Sequence, residues 1–181
     1  MKLNLEQGRI EQARQLASPN YDERPGHEEA SAIIIHCISL PPGEYGGDQI
    51  ERFFQNQLRA DEHDYFRSMA HLQVSSHFLI QRSGILTQFV ATHKRAWHAG
   101  ESQCLQRGRV NDFSIGIELE GLDTDANGFS ADQYQTLNQL VAELRVYYPD
   151  IKNNVFAHSD IAPGRKPDPG PFFDWSLLEL T

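Results

Sequence analysis

Only two cysteines, Cys37 and Cys104, occur in 181 residues. That excludes a disulfide framework and suits a reducing compartment. Long apolar runs are missing as well. No stretch approaches the roughly 18 residues that cross a bilayer, so no membrane partner is expected. The opening segment, MKLNLEQGRIEQARQL, has no apolar signal-peptide core, which makes the cytoplasm the expected compartment. Basic residues are the minority, 16 Lys and Arg against 25 Asp and Glu, for a net charge of −9. A nucleic-acid partner needs a basic face, and this balance argues against one. The segments Lys94 to Arg109 and Arg165 to Lys166 are locally basic, so a small anionic ligand could still be attracted there. Repeats, low-complexity tracts and linkers are also missing, and the length fits one domain with a sizeable core.

What is present is patterned. Ala32 to Ile35 is a short β-branched run, the signature of a buried strand, with His36 at its end. Asp48 to Leu58 places Ile50, Phe53, Phe54 and Leu58 on one face of an expected helix, and a second helix is expected over Asp61 to Ala70. SSHFLIQRSGILTQFV reads as a hairpin turning at Arg82, Ser83 and Gly84. FSIGIELE alternates strictly: Phe113, Ile115, Ile117 and Leu119 point to the core, and Ser114, Gly116, Glu118 and Glu120 point away. Gly116 is expected to leave open space beside Glu118. Ser130 to Tyr148 is the clearest helix, with Ser130 and Gln133 as a capping box and a stripe from Tyr134 to Leu144. A short strand near Asn154 to Ala157 delivers His158, and a terminal helix is expected over Phe172 to Leu180. The expected fold is a single α/β domain with a mixed β-sheet covered by helices. Residues 1–30 form an irregular N-terminal wrap with one short strand near Ile10 to Leu16, and residues 31–181 form the catalytic core.

The chemistry concentrates in HSDIAPGRKPDPG, His158 to Gly170. Its prolines exclude a helix interior or a central strand, so it is a stiff loop that presents polar groups. His36, His158 and Asp168 make a two-His, one-Asp set of the kind that zinc accepts with its fourth position left for water. Zinc-bound water ionises near neutrality. Glu118 could take the proton of that water, and Lys166 could stabilise an oxyanion. These parts suffice for amide hydrolysis. Spacing alone does not force the assignment, because a histidine is more often a surface or hydrogen-bonded residue than a ligand. His77, in an apolar strand, reads as a satisfied core histidine, whereas His98 in AWHAG could line the pocket. Glu120 reads as a solvated or salt-bridged neighbour, and Asp160 as a loop-fixing acceptor. Strand alternation turns Cys37 away from the face that carries His36.

The segments ISLPPGEYGG, AWHAG, NDFSIGIELEG and HSDIAPGRKPDPG, in that order, carry a resemblance. The chain resembles the AmpD-like 1,6-anhydro-N-acetylmuramyl-L-alanine amidases, zinc amidases of the peptidoglycan-recognition-protein-like fold, over nearly its whole length. The resemblance implies hydrolysis of the amide between the lactyl group of muramic acid and L-alanine. It implies one zinc ion per chain, a small anionic muropeptide as substrate, and a cytoplasmic role in cell-wall recycling, with a monomer expected. It makes His36, His158 and Asp168 the zinc ligands and Glu118 and Lys166 the catalytic pair. Arg109 and Trp97 match positions that line the substrate site, and Arg109 is expected to pair with a peptide carboxylate. Two substrate-side positions depart from the family pattern: Cys37 stands where asparagine is usual, and Gln73 where arginine is usual. Other readings are a broader peptidoglycan amidase and a muropeptide-binding protein without activity. The missing signal segment argues against the first, and the intact ligand set against the second.

Overall fold

The alternation of FSIGIELE becomes an inner strand of a six-stranded sheet in the computed structural model, which describes residues 1–180. In chain order the strands are β1 (Arg14–Gln15), β2 (Ala32–Ile38), β3 (Phe78–Ile80), β4 (Leu86–Gln88), β5 (Ser114–Glu120) and β6 (Val155–Ala157). They lie in the order β6-β2-β5-β3-β4-β1. β6, β2, β5 and β3 are mutually parallel, β4 returns antiparallel to β3, and β1 pairs parallel to β4 at the edge. The sheet is therefore mixed, and the domain is α/β as expected.

Its two faces do different work. Ile33 and Ile35 of β2, and Ile115, Ile117 and Leu119 of β5, pack against the long helix α2 (Ala131–Tyr147) through Leu137, Leu140, Val141 and Leu144. Each such side chain contributes about 1.5–3 kcal/mol by leaving water. The helix begins where the sequence says: Ser130 Oγ accepts from the Gln133 amide at 3.1 Å, and Gln133 Oε1 accepts from the Ser130 amide at 3.0 Å. Gln133 also donates its Nε2 protons to Ile80 O and Glu120 O, which docks the helix start on the carboxyl ends of β3 and β5. The opposite face carries His36 and Glu118. It is covered by Ala99, Val110, Phe113 and Ile161 on one side. On the other, the shorter helix α1 (Gln49–Phe54) adds Ile50, Phe53 and Phe54 to Leu79 and Phe89.

Several local expectations change. α1 stops at Phe54 because Asn56 turns left-handed at φ 58°. The segment Asp61 to Ala70 buries only Phe66 fully, with Met69 and Ala70 partly buried at its end, and forms a 3-10 turn over Asp64–Ser68. The expected terminal helix is a single 3-10 turn, Trp175–Leu177, because Phe172, Trp175 and Leu177 find no groove and stay exposed. The N-terminal segment is more ordered than an irregular wrap. Leu3–Asn4 pairs with Arg9–Ile10, β1 joins the sheet, and Tyr21–Glu23 pairs with Lys94–Ala96. The single strand expected near Ile10 to Leu16 is thus two short ones, separated by a turn in which the Ala13 amide donates to Ile10 O.

Candidate metal centre and active site

Strand register builds the site. Glu118 of β5 lies opposite His36 of β2, and Ala157 of β6 lies opposite Ile35, so His158 follows directly beside His36. Three neighbouring parallel strands therefore bring polar groups to their carboxyl ends, where open α/β sheets hold their ligands. His158 opens the short helix α3 (His158–Ile161). Asp160 of that turn accepts from the Ala157 amide at 2.9 Å, which is the loop-fixing part expected of it.

The rigid loop then returns Asp168 to the same point. His36 Nδ1 and His158 Nδ1 are 2.8 Å apart, and Asp168 Oδ2 is 3.2 Å and 3.0 Å from them. One donor atom from each of the three converges within 4.8 Å. The outer ring nitrogens are also engaged. His158 Nε2 faces Ala99 O at 3.3 Å, and His36 Nε2 faces His98 Nδ1 at 3.0 Å. Ligating imidazoles generally carry such second partners, which fix the tautomer that leaves the inner nitrogen bare. The electrostatics agree. Burial, with help from His158 and Lys166, lowers His36 to about 4 against the opposing pull of Asp168, so its imidazole is neutral. Burial alone would raise the Asp168 carboxyl, but the imidazoles of His158 and His36 against it hold it well below the usual carboxylate range. A neutral imidazole and an ionised carboxylate are the forms that bind a metal. The residues present fit a tetrahedral N/O-ligated cation.

Glu118 lies on the floor beside them and is 9 % exposed. Among the described residues, nothing bonds its Oε2. Burial first, then Asp168, push its carboxyl well above the usual range, with Lys166 opposing. An orphaned, desolvated carboxylate next to three converging donors is poised to exchange a proton. His36, Glu118, His158, Lys166 and Asp168 all line one cavity of about 340 Å³, walled on its apolar side by Leu40, Phe53, Tyr65, Met69, Leu72 and Trp97.

A family model for N-acetylmuramoyl-L-alanine amidase matches residues 26–171. The chain belongs to that amidase family. It is 51% identical over 176 residues to the 1,6-anhydro-N-acetylmuramyl-L-alanine amidase AmpD of Escherichia coli K12, covering 97% of this chain and 95% of the relative. It is 43% identical over 173 residues to the AmpD of Haemophilus influenzae, covering 95% and 93%. A crystal structure of an AmpD selenomethionine derivative superposes with a TM-score of 0.94 at 48% identity, over 98% of this chain and 97% of that one. More distantly, the E. coli amidase AmiD, in complex with anhydro-N-acetylmuramic acid-L-Ala-D-gamma-Glu-L-Lys, gives a TM-score of 0.60 at 30% identity, over 81% and 55%.

The other candidate residues of this amidase divide. Trp97 and Cys37 line the cavity. Cys37 was expected to turn away from His36. Although it alternates with His36 in β2, both residues line the cavity, and its thiol lies 3.8 Å from Pro169 O. Burial pushes the thiol far above its ordinary range, with Glu118 and Asp168 adding to the shift, so it is not a reactive thiolate. Gln73 is exposed between the two lining residues Leu72 and Val74. Arg109 is exposed outside the cavity lining and ion-paired with Asp112 at 3.2 Å. Two expectations are overturned. Gly116 leaves no open space, because a Cβ there would sit 2.5 Å from His98 Cγ. Glu120 is not solvated and, among the described residues, not salt-bridged; it is 3 % exposed and accepts from the Gly46 and Arg82 amides. His77 is the satisfied core histidine expected, accepting from the Gly116 amide at 3.0 Å and facing Lys94 O at 3.1 Å. Sequence reading missed Asn111, whose Oδ1 accepts from the His98 and Ala99 amides at 3.1 Å and 2.8 Å and so holds AWHAG in place. It also missed Arg24, a buried guanidinium that donates to Asn111 O, Asp112 O, Thr92 O and Ser114 O. Neither residue lies in an apolar pattern, so no periodic signal marks it.

Proposed function

We propose that the protein is a zinc-dependent enzyme that hydrolyses the lactyl–L-alanine amide of 1,6-anhydromuropeptides in cytoplasmic cell-wall recycling, as a monomer with one zinc ion per chain. The observation that carries the reading is the convergence of His36 Nδ1, His158 Nδ1 and Asp168 Oδ2 beside the unpartnered Glu118 carboxyl. The near full-length likeness to an enzyme named for the 1,6-anhydro substrate supports the substrate class.

When bound by those three residues, zinc supplies Lewis acidity toward a carbonyl and water acidified to near neutrality. The chain's own groups do the rest. Glu118 takes a proton from the attacking water and returns it to the departing L-alanine nitrogen as the carbon–nitrogen bond breaks. Lys166, on the same cavity, offers its ammonium to the negative charge that grows on the carbonyl oxygen. The apolar wall lowers the polarity around the site and strengthens both interactions. Trp97, Cys37 and Gln73 contribute to substrate binding, and Arg109 meets a peptide carboxylate.

The test is mass spectrometry of products from an anhydromuramyl-tripeptide and from intact peptidoglycan, with metal analysis of the same sample. The expected result is one zinc per chain, with 1,6-anhydro-N-acetylmuramic acid and free tripeptide released from the first substrate. Comparable release from intact wall would make the enzyme a broader peptidoglycan amidase. Zinc-loaded protein that binds the muropeptide but leaves it uncut would make it a binding protein.

A further inference from the structure

We infer that His98 is a positioning residue that sets the tautomer of His36 through a one-way hydrogen-bond chain ending on a backbone carbonyl. The inference rests on the proposed metal role of His36, and it concerns a residue that contributes no atom to the three converging donors.

The direction of the chain follows from its far end. Ser114 Oγ lies 2.6 Å from Val110 O, an acceptor that takes the hydroxyl's only proton. Toward His98 Nε2, 3.2 Å away, Ser114 Oγ is left only its lone pairs. His98 Nε2 must therefore carry the ring proton, which leaves His98 Nδ1 bare. His98 Nδ1 lies 3.0 Å from His36 Nε2, so His36 Nε2 donates and carries its own proton. His36 Nδ1 is then the bare nitrogen, and it is the one that faces His158 Nδ1 and Asp168 Oδ2. The carbonyl of Val110 thus decides, three hydrogen bonds away, which nitrogen of His36 is free. His158 reaches the same state in one step, through Ala99 O.

Both supports come from AWHAG: the ring of His98 and the carbonyl of Ala99. Asn111 fixes the two residues together through their amides. Gly116 completes the arrangement, because only a residue without Cβ lets the His98 ring lie against β5. The His98 ring meets the His36 ring edge to face, with centroids 5.1 Å apart, so packing holds the hydrogen-bonded orientation.

The experiment compares zinc-loaded wild type, His98→Phe and His98→Asn. Zinc affinity is read by chelator competition, and the histidine tautomers by long-range proton–nitrogen NMR. Phe keeps the ring against Gly116 and removes the acceptor. Asn places a carbonyl oxygen near the position of Nδ1. Expected is a ten- to hundredfold weaker zinc affinity for His98→Phe, the usual cost of losing an outer-shell partner. His98→Asn should restore most of it, and wild-type His36 should show its proton on Nε2. Equal affinity in wild type and His98→Phe, or a wild-type His36 protonated on Nδ1, overturns the inference. Should His98→Phe fail to fold, Ser114→Ala removes the chain's anchor instead. A loss of about tenfold is then expected, and an unchanged affinity overturns the inference. Wild type that binds no zinc at all would instead refute the proposed function, so the two failures are distinct.

Discussion

Replacing Glu118 by glutamine tests the catalytic reading where it is most exposed. The change keeps shape and removes the proton-accepting charge. None of the three converging donor atoms belongs to Glu118, so zinc content should stay at one per chain. A positioned general base contributes about 10²–10⁴-fold, which corresponds to about 2.7–5.4 kcal/mol of barrier. Turnover of an anhydromuramyl-tripeptide, followed by chromatography of released peptide, should fall by that range with KM little changed. Stability should move the other way. Glu118 Oε2 is buried without a partner, and such an atom costs about 1–3 kcal/mol, more when charged. A neutral amide relieves the charged part. In a domain of this size each kcal/mol moves Tm by about 2–4 °C, so chelator-treated Glu118→Gln should melt a few degrees above wild type. A variant that keeps turnover within tenfold of wild type, or that melts lower, would refute the assignment of Glu118 as a strained proton acceptor.

Asp168→Ala removes the only anionic donor of the cluster, so zinc and activity should disappear together; full zinc occupancy in that variant would exclude Asp168 as a ligand. His77, lowered to about 3 foremost by burial and further by Arg24, gives a pH signature. Its folded pKa lies below the unfolded value of 6.5, so the unfolded chain binds the extra proton and stability is lost as pH falls from about 6.5 toward 3. Urea denaturation should show His77→Gln losing less stability over that window than wild type, with the slopes differing by up to about 1.4 kcal/mol per pH unit; parallel curves would count against a buried neutral His77. Arg109→Ala should raise KM for a peptide with a free carboxylate and leave kcat alone, and steady-state kinetics showing no change in KM would remove Arg109 from the substrate site.

Much of the fold was legible because it rests on local periodicity. β5 and α2 follow from a period of two over Ser114 to Glu120 and a capped helical stripe from Ser130. Phe113, expected on the face of Ile115, instead precedes the strand at the end of a 3-10 turn and packs on the opposite side with Ala99 and Val110. The hairpin of β3 and β4 turns where Gly84 adopts φ 79°, as its turn residues indicate. Segments with one buried anchor or none were not legible: the 3-10 turns at Asp64–Ser68 and Trp175–Leu177 have too few apolar contacts to choose a helix. The candidate residues His36, Glu118, His158 and Asp168 were identifiable from residue type and motif, but their mutual placement was not.

Sequence alone determined which chemistry was available, the stiffness of the Pro-rich loop that carries Lys166 and Asp168, and the faces of β5 and α2, since each depends on near neighbours in the chain. Tertiary structure decided the rest. Pairing β5 with β2 in one register and not the next sets Glu118 beside His36, and a slip of one residue would have turned it into the opposite core. Filling the space above Gly116 with the His98 ring, and burying Glu118 without a partner, likewise depend on segments distant in sequence. No local pattern encodes those meetings, because the free energy that selects them appears only when the whole sheet has packed.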